Sequence, residues 1–144
     1  IEDIIKSTNV PVVLKGILHP LDALEALDTG AAGIVISNHG GRQLDGAIAS
    51  LDALAMVPNE VKEEIDVYMD GGVRTGSDIF KALALGAKAV LIGRPILYGL
   101  AVDGEVGVLH ILQILQAELK QCMQMTGCKS LSEISRDLII KTPT

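Results

Sequence analysis

The stretch Gly33-Ile34-Val35-Ile36-Ser37-Asn38-His39-Gly40-Gly41-Arg42 joins a short apolar run to a polar loop that contains two glycines. The apolar run predicts a buried strand, and the polar residues follow its C-terminal end, where α/β proteins place their functional groups. His39 can transfer a proton near neutral pH, and the planar guanidinium of Arg42 matches a carboxylate or a phosphate. A proton acceptor beside an anion-binding group indicates chemistry on a small acid.

Further strands and helices alternate on both sides of this stretch. The residues before the first strand read as the end of a helix, and the continuous apolar run of that strand predicts burial on both faces, as in parallel sheets. Ser50 is expected to cap the second complete helix. The predicted strands are 10–14, 33–37, 66–69 and 89–92, and the predicted helices are 20–28, 50–57, 75–85, 104–126 and 130–138.

Four buried strands alternating with helices predict a parallel sheet with right-handed crossovers. Strand number alone fits both an open doubly wound sheet and part of a closed barrel. The first strand is not followed by the G-x-G-x-x-G spacing of dinucleotide-binding folds. Instead the glycine-rich loops 70–74 and 93–95 follow the last two strands, as the phosphate loops follow strands seven and eight of a (β/α)₈ barrel.

We therefore predict the C-terminal half, strands five to eight, of a TIM (β/α)₈ barrel. A complete barrel takes about 250 residues, so residues 1–144 are expected to form a single partial domain. The start, Ile1-Glu2-Asp3, is neither a signal peptide nor an initiator Met. We expect this chain to begin inside a longer protein.

Four cations follow four different predicted strands and should converge at one mouth of the barrel. Gly71, Gly72 and Gly93 would let the backbone approach an anion closely, and their N–H groups beside a helix N-terminus suit a phosphate. The expected ligand carries a phosphate and a second anionic or electron-rich part. The four cations are Lys15, Arg42, Arg74 and Arg94.

Composition excludes several other functions. The 12 basic and 18 acidic residues give a net charge of −6, which argues against a nucleic-acid surface. Cys122 and Cys128 show neither a zinc spacing nor a disulfide framework, so we expect them to be reduced and expect no metal site. No apolar run nears the roughly 20 residues of a membrane span, so no membrane association is expected.

Five motifs together resemble a known family. They are Val13-Leu14-Lys15-Gly16, Ser37-Asn38-His39-Gly40-Gly41-Arg42-Gln43-Leu44-Asp45, Asp70-Gly71-Gly72-Val73-Arg74-Thr75-Gly76, Lys81-Ala82-Leu83-Ala84-Leu85-Gly86-Ala87 and Gly93-Arg94-Pro95. They resemble the FMN-dependent 2-hydroxy-acid oxidases, the group of glycolate and lactate oxidases, over nearly the whole chain. The His39 motif is specific to that family, whereas the Asp-Gly-Gly and Gly-Arg motifs occur more widely among phosphate-binding barrels.

The resemblance implies an FMN-dependent enzyme that oxidises a small (S)-2-hydroxy acid to the 2-oxo acid, with O₂ giving H₂O₂. It implies that His39 is the catalytic base and also contacts the substrate, that Arg42 binds the substrate carboxylate, and that Lys15 lies against the flavin ring. It further implies a homo-oligomer in the peroxisome or the cytoplasm, although the chain ends 141–144 without a Ser-Lys-Leu signal. The implied FMN contacts are Lys15, Ser37, Asp70, Gly71, Gly72, Val73, Arg74, Gly93 and Arg94.

Several alternatives stay open at this point. Hydride transfer and a carbanion route fit the sequence equally well. The chain could instead be a non-catalytic half-barrel that binds FMN or phosphate, or a phosphate-binding barrel of another chemistry. Arg42 could pair with Asp45, Arg74 with Asp78, and Lys15 could extend to the rim of the barrel.

Other residues carry no functional expectation. His19 and His110 are expected to be surface residues without partners. In the resembling family the first half-barrel supplies substrate-side tyrosines, a second arginine and an aspartate that orients the histidine. Tyr68 and Tyr98 match neither tyrosine role, so the chain alone is expected to be a poor enzyme.

Overall fold

The computed structural model describes residues 1–140, in which parallel strands alternate with helices. The strands are β1 (Val13–Ile17), β2 (Gly33–Ile36), β3 (Asp66–Met69) and β4 (Ala89–Val90). The helices are α1 (Glu2–Lys6), α2 (Pro20–Asp28), α3 (Ser50–Met56), α4 (Asn59–Glu64), α5 (Gly76–Ala84) and α6 (Arg94–Thr126). Short 3-10 helices span His39–Gly41, Leu131–Glu133 and Arg136–Leu138.

The four strands form one parallel sheet in the order β1-β2-β3-β4. Each strand pairs with the next one in the chain, as in part of a (β/α)₈ barrel, and this confirms the predicted fold class. The core lies between the sheet and its helices, and β2 is buried along its whole length. Fully buried core side chains include Ile34, Ile36, Leu54, Val67 and Met69. All four strands end at the same edge, which places the loops after them side by side.

The two edge strands differ from their predicted extents. β1 begins at Val13 rather than Val10, and both residues are exposed, at 41% and 68%. Burial on both faces was therefore a wrong expectation for β1: Leu14 packs against the core on one face, whereas Val13 and Lys15 on the opposite face are exposed. β4 contains two residues rather than four, and Leu91 N continues it with one further hydrogen bond to Met69 O.

The predictions for the shorter helices need three corrections. Ser50 does not cap α3: the N-cap is Ala49, and the Ser50 hydroxyl accepts a hydrogen bond from Asn38 N instead. The six-residue helix α4 was missed, since so short a segment shows little apolar periodicity. The predicted helix over 130–138 is two 3-10 turns separated by extended backbone at Ile134.

Helix α6 begins ten residues earlier than predicted and is broken at Asp103 and Gly104, whose backbone angles are not helical. The predicted helix 104–126 is its second segment. The two segments touch through glycines: a Cβ added to Gly107 would collide with the Gly99 carbonyl, and one added to Gly99 would lie 2.5 Å from Gly107 O. Any side chain at either position would push the segments apart.

By length and composition alone, α6 resembles a membrane-spanning helix. Its most apolar 18-residue window has a mean hydropathy of 1.4, and 6% of that window is buried. The break at Asp103 and Gly104 interrupts the helical hydrogen bonds, and lipid offers no replacement partners for such backbone groups. We therefore keep the expectation that α6 packs on the protein, where it contacts α5. The tail 141–144, where a Ser-Lys-Leu signal would lie, is outside the described residues.

Candidate functional site

A cleft of about 250 Å³ lies at the carboxyl edge of the sheet. Its volume is below the roughly 300–1,000 Å³ of sites that enclose a cofactor-sized ligand, so it would hold one side of such a ligand. The structure brings together in it every predicted site residue except Ser37. The lining comprises Lys15, His39, Gly40, Arg42, Asp70, Gly71, Gly72, Val73, Arg74, Leu91, Gly93, Arg94, Pro95 and Leu97.

His39 begins a 3-10 turn, His39–Gly41, that follows β2 closely and that we call the His39 turn. His39 has a φ of 56°, the one positive value outside glycine within residues 1–140. Its ring lies over Gly16, where an added Cβ would be 2.8 Å from His39 Cε1. Gly16 near the end of β1 and the turn after β2 thus hold the imidazole at the cleft.

Lys15 links three strand ends. Its Nζ donates a hydrogen bond to Ser37 Oγ at 2.9 Å and forms an ion pair with Asp70 Oδ2 at 2.7 Å. The Ser37 hydroxyl also accepts from His39 N at 3.1 Å, and Ser37 is fully buried. Ser37 therefore lies beneath the cleft, where it connects the ammonium group to the His39 turn.

Asp70 has one carboxylate oxygen that the described residues leave unsatisfied. Oδ2 pairs with Lys15, whereas Oδ1 is buried and has no hydrogen-bond partner within residues 1–140. Buried polar atoms in folded proteins nearly always have a partner. Asp70 Oδ1 is thus suited to accept a hydrogen bond from a hydroxyl or N–H group of a ligand in the cleft.

Two helices begin beside the cleft, but only α6 offers a free N-terminus. At α5, Thr75 and Asp78 form a capping box and Gly76 N donates to Glu118 Oε2 at 2.7 Å. Burial alone would raise the pKa of Asp78, but the N–H groups of Arg74 and Thr75 and the Thr75 hydroxyl together lower it. No side chain of residues 1–140 caps α6 at Gly93, so a phosphate is best placed at the start of α6.

The surroundings of this N-terminus suit an anion. A Cβ added to Gly72 or Gly93 would meet nothing within 4 Å, which leaves room for a ligand against the backbone. Arg94 Nη2 donates to Gly40 O at 3.1 Å. The Arg74 guanidinium lies 5.9 Å from the centre of the Tyr98 ring. Both arginines line the same cleft.

The ion pairs weighed as alternatives are not present in the described part of the chain. Arg42 is exposed, and its Nε donates to His39 O at 3.4 Å rather than to Asp45. Arg74 contacts Asp78 through its backbone N–H and not through its guanidinium. Both guanidiniums therefore remain available to a ligand.

Sequence reasoning missed several contacts. His19 has a partner after all, because its Nδ1 accepts from Leu21 N at 3.2 Å and caps α2. The contact between the Arg74 guanidinium and the Tyr98 ring was also missed. Tyr98 lies one helical turn after Arg94, and this spacing could have suggested that Tyr98 shares the Arg94 face of α6. Asn38 also went unnoticed, although Asn before a glycine-containing turn is a common turn-forming residue.

The other residues with altered pKa values lie mostly at the amino end of the sheet. A hydrogen bond from Lys88 lowers the pKa of Asp66, and the Asp66 carboxylate raises the pKa of both Lys88 and Tyr68. That end of a barrel serves stability rather than chemistry. Cys122 and Cys128 are free thiols, and residues 1–140 contain no group of three or more potential metal ligands, so neither observation adds a site.

The residues present fit FMN. The free N-terminus of α6 with Arg74 and Arg94 suits its phosphate, and the unsatisfied Asp70 Oδ1 suits a sugar-alcohol hydroxyl. Lys15 provides a cation beside the His39 turn for an electron-rich ring. Fold and site together define part of a (β/α)₈ barrel that places a histidine, a lysine and three arginines in one cleft at the carboxyl edge of its strands.

The sequence profile of the FMN-dependent dehydrogenase family matches residues 1–141, and the chain belongs to that family. It is 59% identical to 2-hydroxyacid oxidase 2 of Rattus norvegicus, over 92% of this chain and 37% of that protein. It is 55% identical to L-lactate oxidase of Nostoc sp. (strain PCC 7120 / SAG 25.82 / UTEX 2576), over 90% of this chain and 36% of that protein.

The likeness extends to solved structures. Mandelate oxidase with benzoyl-formic acid superposes with a TM-score of 0.89 at 47% identity, over 94% of this chain and 40% of that one. A mutant of mandelate oxidase with the monooxide FMN adduct superposes equally well, over 43% of its chain. The present chain thus spans well under half the length of these relatives.

Proposed function

We propose that the protein containing this chain oxidises a small (S)-2-hydroxy acid to the corresponding 2-oxo acid, with FMN as cofactor and O₂ reduced to H₂O₂. The observation that carries the proposal is one cleft in which His39 and Arg42 lie beside Lys15, with an uncapped helix N-terminus at Gly93. Relatives named as lactate, glycolate and 2-hydroxyacid oxidases support the same reaction.

Arg42 is proposed to bind the substrate carboxylate through two hydrogen bonds, which orients the α-carbon and disfavours substrates without an acid group. His39 accepts a proton from the substrate, as a hydroxyl proton in hydride transfer or as the α-proton in a carbanion route. FMN, when bound, supplies the two-electron acceptor. Lys15 stabilises negative charge that develops beside it.

The proposed FMN contacts divide into two groups. Lys15 and Asp70 are assigned to the ring and sugar-alcohol part, and Ser37 supports them from below through Lys15. The phosphate is assigned to the N-terminus of α6 and to the loop after β3. The residues of this phosphate group are Gly71, Gly72, Val73, Arg74, Gly93 and Arg94.

We further propose that residues 1–144 form a single partial domain, the C-terminal half of the barrel, and that the full-length protein is a homo-oligomer in the peroxisome or the cytoplasm. A second candidate function is a non-catalytic half-barrel that binds FMN or phosphate. The observation favouring it is that the cleft, at about 250 Å³, would hold only one side of a cofactor.

The test is His39→Gln in the full-length protein. We expect kcat to fall by about 10²–10⁴-fold, the usual contribution of a general base, while the bound FMN measured by absorbance is unchanged. His110→Gln, on the exposed part of α6, is the matched control and should leave kcat unchanged. Near-normal turnover by the His39 variant would remove this residue from the mechanism, whereas a wild-type protein that binds FMN but oxidises no 2-hydroxy acid would favour the non-catalytic candidate.

A further inference from the structure

The His39 turn has an unusual backbone that its own hydrogen bonds do not explain. His39, Gly40 and Gly41 have φ values of 56°, 70° and 74°, so three successive residues are left-handed. Glycine adopts this region freely, but a side-chain-bearing residue such as His39 is disfavoured there. Such a conformation persists only where the surrounding structure holds it.

The side chain of Asn38 supplies the central restraint. Its Oδ1 accepts a hydrogen bond from Gly40 N at 3.0 Å, and its Nδ2 donates to Ile48 O at 3.3 Å. The backbone carbonyl oxygen of Asn38 accepts from Gly41 N at 3.0 Å. The Asn38 side chain therefore holds the His39 turn through Gly40, and it also holds Ile48 at the far end of the loop between β2 and α3.

Asn38 is itself held from two other elements. The buried Ser50 at the start of α3 accepts from Asn38 N at 3.1 Å. Gly71, in the loop after β3, lies so close that an added Cβ would be 2.7 Å from Asn38 Oδ1 and 2.8 Å from Ser50 Oγ. The amide side chain is thus enclosed between the His39 turn and the loop proposed to bind FMN.

The geometry points to Asn38 as a positioning residue that holds His39 in its left-handed conformation and couples the His39 turn to the Gly71 loop. Asn38 does not line the cleft, so it acts through His39 and Arg42 rather than on the ligand. This inference rests on the proposed role of His39 as the base. The essential atom is Oδ1, because it alone meets the N–H group of Gly40 inside the turn.

Three variants of the full-length protein isolate that atom. Asn38→Asp keeps an oxygen at the Oδ1 position and loses only the Nδ2 hydrogen bond to Ile48 O. Asn38→Gln keeps the amide but moves it by one methylene, and Asn38→Ala removes it. We expect kcat to fall at least tenfold in the Ala and Gln variants and to stay within about threefold of wild type in the Asp variant. Asn59→Ala, at an exposed position of α4, is the control and should behave as wild type.

Hydrogen exchange provides a measurement that does not depend on turnover. Amide exchange of peptides covering residues 37–44 should accelerate in the Ala and Gln variants and not in the Asp variant, while FMN content and the thermal midpoint change little. If Asn38→Ala does not fold, the comparison of Asn38→Asp with Asn38→Gln still decides whether the Oδ1 position matters. Equal effects of Asp and Gln on kcat and exchange would overturn the inference.

The outcomes also separate this inference from the proposed function. Wild-type kcat and exchange in all Asn38 variants, together with an inactive His39→Gln, would overturn the positioning role and leave the function intact. Wild-type kcat in His39→Gln would overturn the role of His39 as the base, and with it the role of Asn38, whereas a wild-type protein that oxidises no 2-hydroxy acid would overturn the proposed function. Faster exchange with unchanged kcat would likewise overturn the positioning role.

Discussion

Lys15 Nζ lies 2.7 Å from Asp70 Oδ2, an ion pair that joins the carboxyl ends of β1 and β3 across β2. The two side chains are 42% and 20% exposed, so solvent screens the attraction, and a pair of this kind contributes at most about 1 kcal/mol. Its main effect is geometric. The ammonium group is fixed beside the His39 turn through Ser37, and the cleft has its cation in place before any ligand binds.

Arg42→Lys in the full-length protein should raise the KM for the 2-hydroxy acid by about 10–100-fold and change FMN content little. Lysine keeps the charge but loses the planar pair of donors that matches a carboxylate. Steady-state kinetics with several 2-hydroxy acids would measure this. Arg136→Lys, the same exchange away from the cleft, should leave KM unchanged, and an unchanged KM for the Arg42 variant would exclude it from carboxylate binding.

Arg94→Ala should weaken FMN binding by about 10–100-fold, since a hydrogen bond to a charged group is worth about 1.5–3 kcal/mol. Riboflavin, which lacks the phosphate, should bind the variant and the wild type alike, as fluorescence titration of the apoprotein can test. Arg136→Ala serves as the control. A loss of flavin with the Arg42 change and not with the Arg94 change would mean that the two anion sites are exchanged.

Asp78→Asn should destabilise the protein at pH 7 by about 0.3–1 kcal/mol, the usual worth of a charge at a helix N-terminus. Because the hydrogen bonds of the capping box hold the folded-state pKa of Asp78 below its ordinary value, its contribution is present above the unfolded pKa of about 3.9. It is lost as the pH falls through the folded pKa.

Urea unfolding from pH 7 to pH 3 would check the sign for Asp78. The free energy of unfolding of wild type should exceed that of Asp78→Asn at pH 7, and this difference should narrow below about pH 4. Asp28→Asn, at an exposed carboxylate at the end of α2, is the comparison variant. If the difference in free energy of unfolding between wild type and Asp78→Asn widened as the pH fell, the fold would not be stabilising the charged form of Asp78.

The 144-residue chain produced alone should self-associate or form a loosely packed species. Its edge strands β1 and β4 have unpaired backbone groups on one side, and large apolar side chains such as Val102, Leu97 and Leu91 are exposed at 85%, 58% and 43%. Exposed apolar patches and open edges favour association. Sedimentation equilibrium with an apolar dye would decide, and a cooperatively unfolding monomer that binds no dye would contradict the expectation.

The fold class could be predicted because several signals agreed. Apolar runs such as 33–36 and 66–69 are too short for helices, and the helices between them carry a clear stop, as Gly30 does after α2. The extent of β1 could not be predicted, since hydrophobicity does not report whether a neighbouring strand is present. The start of α6 was missed because Pro95 was assigned to the strand exit, whereas proline also suits the first turn of a helix.

The site was predictable to the level of which residues meet, because the carboxyl ends of parallel strands share one edge. The hydrogen bonds and side-chain packing within the site were not predictable. The burial of Ser37 under Lys15 depends on side-chain packing between strands. The enclosure of Asn38 by Gly71 and Ser50 joins positions far apart in the chain, which no local spacing encodes.

The glycine contact inside α6 has a genetic consequence. Gly99 and Gly107 lie outside the cleft, yet substituting either would separate the two helical segments, the first of which begins at Arg94 beside the cleft. Alleles altered at these two glycines should therefore reduce cofactor content although their lesion maps away from every proposed ligand contact. Supplementing cells with riboflavin should rescue them only partly, because the defect lies in the shape of the helix proposed to bind the phosphate and not in the supply of flavin.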